Sequence, residues 1–287
     1  MHLAQIDIFV FQAVIMLTLI FSALSAKILC SKKNLKTART LVIYVYAVLA
    51  YSIYHTIYNF VLAMLPYLFP TFLEPEYGLL WYNILIRVVP DLASSMEICV
   101  SSASVFLALD RTFLIVFPVI YKQKTISKFF RLAFIGITIH NFVFVILFQA
   151  VIPMVQGETN GVIAIYFYHL QYLDTFSITI DVVFQLVFCL FYRRLFKRVQ
   201  SASNVVVLIR KVHQITFVQL LSQSMLSTIP EICIFVDLHF FGLEVYDILS
   251  SYRGTMFASS TLVASGFTWW KLRVPQNRSA QNLAPQA

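Results

Sequence analysis

Long apolar runs separated by short polar connections cover almost the whole chain, and seven such runs can be traced. They extend from about Ile6 to Leu29, Arg39 to Leu65, Tyr82 to Val116, Leu132 to Pro153, Val162 or Tyr172 to Tyr192, Val212 to Leu238, and Tyr252 to Trp270. About 20 residues at a rise of 1.5 Å suffice to cross a bilayer core. Each run is therefore read as a membrane-spanning helix. Pro66, Pro70, Glu74, Pro75, Glu76 and Gly78 end the second span, because proline removes a helical donor. Gln156, Gly157, Glu158, Asn160 and Gly161 close the fourth. The first run lacks a basic leading region and a small-residue cleavage site, which identifies it as a retained span and not a signal peptide. The fold class predicted is an all-α membrane protein, a seven-transmembrane helix bundle over residues 1–275. Residues 276–287 are expected to form a short disordered cytoplasmic tail.

Composition narrows the class further. Of 287 residues, 60% are hydrophobic and 12% charged, and the mean hydropathy is +0.80. Soluble domains carry about 25% charged residues, so this chain cannot wet the surface of a globule. Seven spans with short connections also leave no room for a separate soluble catalytic domain.

The net charge of +8 would suit a nucleic-acid partner if the basic residues shared one polar face. Instead they cluster between the apolar runs. Lys27, Lys32, Lys33, Lys36 and Arg39 follow the first span; Arg111, Lys122, Lys124, Lys128 and Arg131 follow the third. Arg193, Arg194, Lys197, Arg198, Arg210 and Lys211 follow the fifth, and Lys271, Arg273 and Arg278 follow the seventh. Thus 19 of the 21 basic residues lie on alternate connections. The positive-inside rule makes those connections cytoplasmic, with the N-terminus outside and the C-terminus cytoplasmic. Glu74, Glu76, Glu158, Glu244 and Asp247 fall on the opposite side. The charge pattern reports a lipid bilayer and a multi-pass plasma-membrane protein, with no nucleic acid.

Candidate chemistry is sparse. Cys30, Cys99, Cys189 and Cys233 lie in or at the ends of spans, so no outer disulfide and no zinc pair is expected. Six histidines are scattered singly. Phosphate loops, nucleophile elbows and metal-binding helix motifs do not occur. The reading is no enzyme, no cofactor and no metal site. Charges at membrane depth are costly and face the bundle interior or a wet cavity. Glu97 lies 14 residues before Arg111, about 21 Å along the helix. Asp181 lies 12 residues before Arg193, about 18 Å by the same rise. With Ser94 and Ser101 they form a candidate ligand pocket. Arg87 and Asp91 are spaced for an i, i+4 pair. Glu231 and Arg253 are candidates for a second outer-rim ion pair, and Pro230 kinks the sixth span.

The inner end of the third span reads Leu109-Asp110-Arg111-Thr112-Phe113-Leu114-Ile115-Val116-Phe117-Pro118. This resembles the Asp-Arg-Tyr motif of rhodopsin-like G-protein-coupled receptors, with the proline seven residues after the arginine. The resemblance implies that Asp110 holds Arg111 at rest and releases it toward a G protein, with Thr112 and Pro118 completing the element. Departures are clear. Thr112 replaces the tyrosine, Ala258 to Trp270 holds no Asn-Pro-x-x-Tyr, and Thr228 replaces the tryptophan two residues before Pro230. The profile, rich in Phe and Tyr with short termini, resembles the nematode serpentine chemoreceptor superfamily. That resemblance implies a chemosensory receptor binding a small-molecule or peptide ligand and activating a heterotrimeric G protein. The alternative is a transporter or ligand-gated channel subunit that uses the buried acids as an ion relay.

Overall fold

The computed structural model describes residues 2–31, 39–68, 88–117, 121, 126–148, 204–236 and 245–273, with 180, 183, 187–188 and 190–191. The described residues contain helices and no strand. These are α1 (His2–Ser31), α2 (Arg39–Leu68), α3 (Val89–Val116), α4 (Ile126–Ile146), α5 (Asn204–Gln223), α6 (Ile229–Val236) and α7 (Val245–Arg273). A π-helical turn, Ser224–Thr228, joins α5 to α6 without a break. Most of the expected fifth span, the start of the expected third (82–87), the stretch at 69–81 and the tail at 276–287 lie outside the described residues.

Several boundaries differ from those expected. α2 continues two residues past Pro66, so the helix ends just after the proline and not before it, despite the lost donor and the pressure of the ring on the Leu62 carbonyl. α4 and α5 begin earlier than their apolar runs. Their leading turns contain Lys128, Arg131, Arg210 and Lys211, which are good helix formers whose long side chains reach toward water. Pro90 falls in the first turn of α3, where its missing donor is not needed.

Among the described residues, four helices are long and apolar enough to cross a bilayer: Asp7–Ser31, Arg39–Val61, Val89–Leu114 and Ile126–Ile146. Their surfaces are inverted relative to those of a soluble protein. Phe9, Phe60, Phe129 and Leu132 are more than 60% exposed, whereas Thr18, Ser52, Ser104, Thr216, Gln219 and Thr268 are almost completely buried. An apolar exterior with hydroxyls and amides inside is what a hydrocarbon solvent demands, because unsatisfied polar groups are costly there. Many of the hydroxyls bond to carbonyls of their own helix, as Thr18 does to Val14 and Thr268 to Ala264. The protein is a helical, multi-pass membrane protein.

Paired contacts fix the directions of the helices. Cys30 meets Tyr46 and Met16 meets Thr56, so α1 and α2 are antiparallel. α2 and α3 are antiparallel as well, with Thr40 at Asp110 and Tyr54 at Val89. α4 descends along α3, from Asn141 at Ser95 and Thr138 at Cys99 to Phe130 at Phe113. α7 runs parallel to α1: Thr255 donates to Asp7 at 2.8 Å, and Trp269 packs on Phe21. The connection from α6 to α7 has eight residues, 237–244, and reaches about 30 Å when extended. That is shorter than the roughly 44 Å of a 29-residue helix, so α5–α6 and α7 are antiparallel neighbours. The bundle therefore closes on itself, with α1 against both α2 and α7, and with α3 in contact with α2, α4 and α5. One end of it gathers Lys27, Arg39, Arg111, Lys128, Arg131, Arg210, Lys211, Lys271 and Arg273.

The core between α1, α2, α3, α5 and α7 contains Ile15, Leu41, Val48, Tyr51, Leu107, Val212, Ile215 and Ala258.

Candidate functional site

At the basic end, Asp110 and Arg111 are each 1% exposed, and Arg111 Nη2 lies 3.1 Å from Asp110 Oδ2. A buried carboxylate is tolerable only when paired and hydrogen-bonded. Two more donors complete it. Thr40 Oγ1, in the first turn of α2, donates to Asp110 Oδ2 at 2.7 Å. The Tyr121 hydroxyl donates to Asp110 Oδ1 at 2.6 Å. Arg111 Nη2 also donates to Thr40 Oγ1 at 3.2 Å, so the threonine relays between guanidinium and carboxylate.

Local sequence explains each position. Asp110 and Arg111 are adjacent near the last turns of α3, and side chains only about 100° apart on a helix can face one partner helix. Thr112 turns its hydroxyl to Ala108 O of its own helix at 2.9 Å and is not part of the network. After α3, Phe117 N–H donates to Phe113 O and Tyr121 N–H to Phe117 O, both at 2.9 Å. This continued turn sets the Tyr121 ring under Asp110. Burial, and then the neighbouring Asp110 charge, push the Tyr121 hydroxyl above the usual phenol range. It therefore remains a donor at all physiological pH values. Pro118 lies outside the described residues.

The second region is the opposite half of the bundle. Glu97 is half-buried on α3, and Tyr51 is buried on α2. Around Tyr51 stand His55, with ring centroids 4.5 Å apart, and Phe257 of α7 at 5.5 Å. Phe11 of α1 reaches His55 at 5.4 Å. Tyr51 is 0% exposed and His55 6%, and among the described residues neither Tyr51 Oη nor His55 Nε2 has a hydrogen-bond partner. Ser101 is half-buried nearby on α3, but Ser94 is exposed. The buried serine of that turn is Ser95, which donates to Asp91 O at 3.0 Å while its own carbonyl accepts from Asn141 Nδ2 at 3.4 Å. A two-way choice between adjacent serines depends on helix rotation, which spacing from Arg111 did not resolve.

Asp181 and Arg87 lie outside the described residues, as does the side chain of Glu231. Asp91 sits in the first turn of α3, where the helix dipole favours an acid, and Arg253 is exposed on α7. Pro230 is the second residue of α6, directly after the π turn. The break expected at this proline thus takes the form of a widened turn. Among the described residues no group of three or more His, Cys, Asp or Glu side chains is placed to hold a metal ion. Cys30, Cys99 and Cys233 are free thiols.

Thr40, Tyr121, Tyr51, His55, Ser104 and Gln219 were not singled out from sequence. Thr40 had one visible signal, a hydroxyl beside Arg39 at the basic boundary of a span. Gln219 had another, an amide in the middle of an apolar run. Comparison with protein-family models gives no match, and comparison with curated proteins gives no significant match.

Proposed function

We propose that the protein is a G-protein-coupled chemosensory receptor of the plasma membrane, with seven spans, an outside N-terminus and a cytoplasmic C-terminus. A small molecule or peptide entering from outside engages the half of the bundle that holds Glu97 and the Tyr51–His55 cluster. Its binding shifts the population toward a form in which Arg111 leaves Asp110 and meets a Gα subunit. The similarity to nematode serpentine chemoreceptors belongs to this proposal.

The observation that carries the reading is the buried Asp110–Arg111 pair clasped by Thr40 and Tyr121. An ion pair held by donors from other segments, at the basic end of a bundle, is a two-state charge contact of the kind that switches use. A static structural bridge would serve equally well as a salt pair on the surface, without the desolvation penalty. Two further facts support the topology. α1 and α7 run parallel, so the chain crosses an odd number of times if both span, and the basic residues gather at one end. A transporter or channel reading has no comparable observation in its favour, because it leaves the clasp without a role.

Ligand-evoked Gα recruitment in a reporter cell tests the proposal. A broad panel of small volatile and water-soluble compounds should contain activators, and Arg111→Ala should abolish their signal at unchanged surface level. Undiminished signalling by Arg111→Ala would remove the proposed role of the pair.

A further inference from the structure

The segment from Asn204 to Val236 is one continuous helix with a π turn in it. Ile229 N–H donates to Ser224 O, five residues back, where a regular α-helix would use the carbonyl of Met225, four back. A π turn holds one residue more than an α turn, so it absorbs an extra residue without rotating the helix on either side. Pro230 supplies the local cause. It has no N–H, and in regular α geometry its ring would press on the carbonyl four residues earlier, at Leu226.

On the α5 side of this turn the helix is held by two contacts. Gln219 Nε2 donates to Ser104 Oγ of α3 at 2.5 Å, with both residues essentially buried. Ser222 Oγ donates to Gln219 O at 2.9 Å and to Ser260 O of α7 at 3.3 Å. The clasp is only half satisfied, because Gln219 Oε1 is buried without a hydrogen-bond partner among the described residues. An unmet acceptor in a dry interior opposes the arrangement that buries it.

We propose that the Ser224–Thr228 π turn is a register store: on conversion to α it turns α5 by about 100° against α6 and carries Gln219 off Ser104. With α6 held, each residue of α5 takes the place now held by its N-terminal neighbour. Gln219 moves to the place of Val218, which is half-buried, and its free oxygen leaves the dry α3 contact. Ser222, now 8% exposed, moves to the place of Leu221, now 47% exposed, while Leu221 moves to the place of Leu220, now 2% exposed. The rotation reorients Arg210 and Lys211 at the basic end of the same helix. It rests on the receptor reading only for its purpose, since the geometry holds whatever the output is.

The test uses thiol labelling of the full-length protein in nanodiscs, with Cys30, Cys189 and Cys233 replaced by Ser. Two reporters beside Arg210 and Lys211, where water reaches the basic end, are read separately with a small maleimide: in Val212→Cys the residue, now 1% exposed, moves to the place of half-buried Lys211, and in Gln214→Cys the half-buried residue moves to the place of His213, now 5% exposed. Pro230→Ala restores a backbone donor and removes the ring, so it favours the α form. It should raise labelling at position 212 and lower it at 214, each severalfold if the alternate register becomes dominant. Deleting Met225 from the Pro230→Ala variant removes the stored residue and permits an α-helix in the present register. Both reporters should then return to the parent pattern. In the Pro230→Ala background the Met225 deletion should leave a folded, monodisperse protein, whereas deletion of Ile20 within the regular helix α1 should not. Unchanged labelling in Pro230→Ala, same-direction changes at both reporters, or a Met225 deletion as damaging as that of Ile20 would each overturn the proposal. Gα recruitment, measured in parallel, is a separate readout. Opposite labelling shifts without recruitment retain the register change and count against the receptor reading, and recruitment without the shifts does the reverse.

Discussion

Asp110 receives three donors: Arg111, Thr40 and Tyr121. Each arises from a different stretch of chain, so the carboxylate ties the start of α2 and the turn after α3 to the end of α3. Hydrogen bonds to a buried charge contribute about 1.5–3 kcal/mol apiece. Tyr121→Phe should therefore lower stability by roughly that amount, read as a fall in the thermal melting point of the purified protein. If the clasp restrains Arg111, the same variant should raise ligand-independent Gα recruitment. A phenylalanine variant with unchanged melting and unchanged basal signal would show that the Tyr121 contact carries nothing. The pH dependence follows from the raised Tyr121 hydroxyl. Since the folded state disfavours the phenolate, its contribution is complete below the ordinary phenol range near 10 and declines as pH rises above it. Melting points of the parent should accordingly fall more steeply than those of Tyr121→Phe between about pH 9.5 and 11.

At the scale of elements, the bundle uses glycine sparingly at its seams. A Cβ on Gly254 would meet Phe11 at 3.7 Å, and one on Gly266 would meet Phe21 at 3.8 Å, both ordinary contact distances. Gly136 on α4 has nothing within 4 Å of such an atom. None of the three positions needs glycine for space. Alanine has a helix propensity about 1 kcal/mol better, so Gly136→Ala should raise the melting point modestly and leave ligand response unchanged. A loss of stability would show that α4 has a packing partner at that face. The α3–α5 clasp behaves differently. Ser104→Ala leaves the Gln219 amide with both its groups unbonded in the interior, at a cost of about 1–3 kcal/mol. Adding Gln219→Leu should recover most of that loss, because an apolar pair has nothing to satisfy. A thermal-shift series of the two single variants and the double measures the coupling directly.

Across the whole molecule, the parallel course of α1 and α7 links the ends of the bundle. The hydrogen bond from Thr255 to Asp7 closes the seam at one end, and the packing of Trp269 on Phe21 closes it at the other. At that second end Lys271 Nζ lies 4.5 Å over the Trp270 ring, and the Arg273 guanidinium 5.2 Å over Trp269. Aromatic rings with basic tips suit a membrane interface. Epitope tags on the two termini of intact cells should stain from outside only at the N-terminus. An N-terminal tag that stains only after permeabilisation would overturn both the orientation and the receptor proposal.

The helical class, the membrane solvent and the gathering of the described basic residues at one end of the bundle were legible in the sequence, because they depend on long-range averages of hydropathy and charge that no single contact can reverse. Asp110 and Arg111 were legible too, since adjacent opposite charges at a span's end are a local pattern. What the chain alone did not reveal are the partners. Thr40 and Tyr121 complete the carboxylate from 70 and 11 residues away, and Gln219 reaches Ser104 across 115. Helix rotation decided that Ser95 and not Ser94 is buried, because one residue is about 100° of azimuth and spacing from a helix end does not specify it. The π turn before Pro230 is likewise a tertiary outcome. Proline demands that the regular turn be broken, but the contacts of Gln219 and Ser222 with α3 and α7 determine in which register the helix resumes.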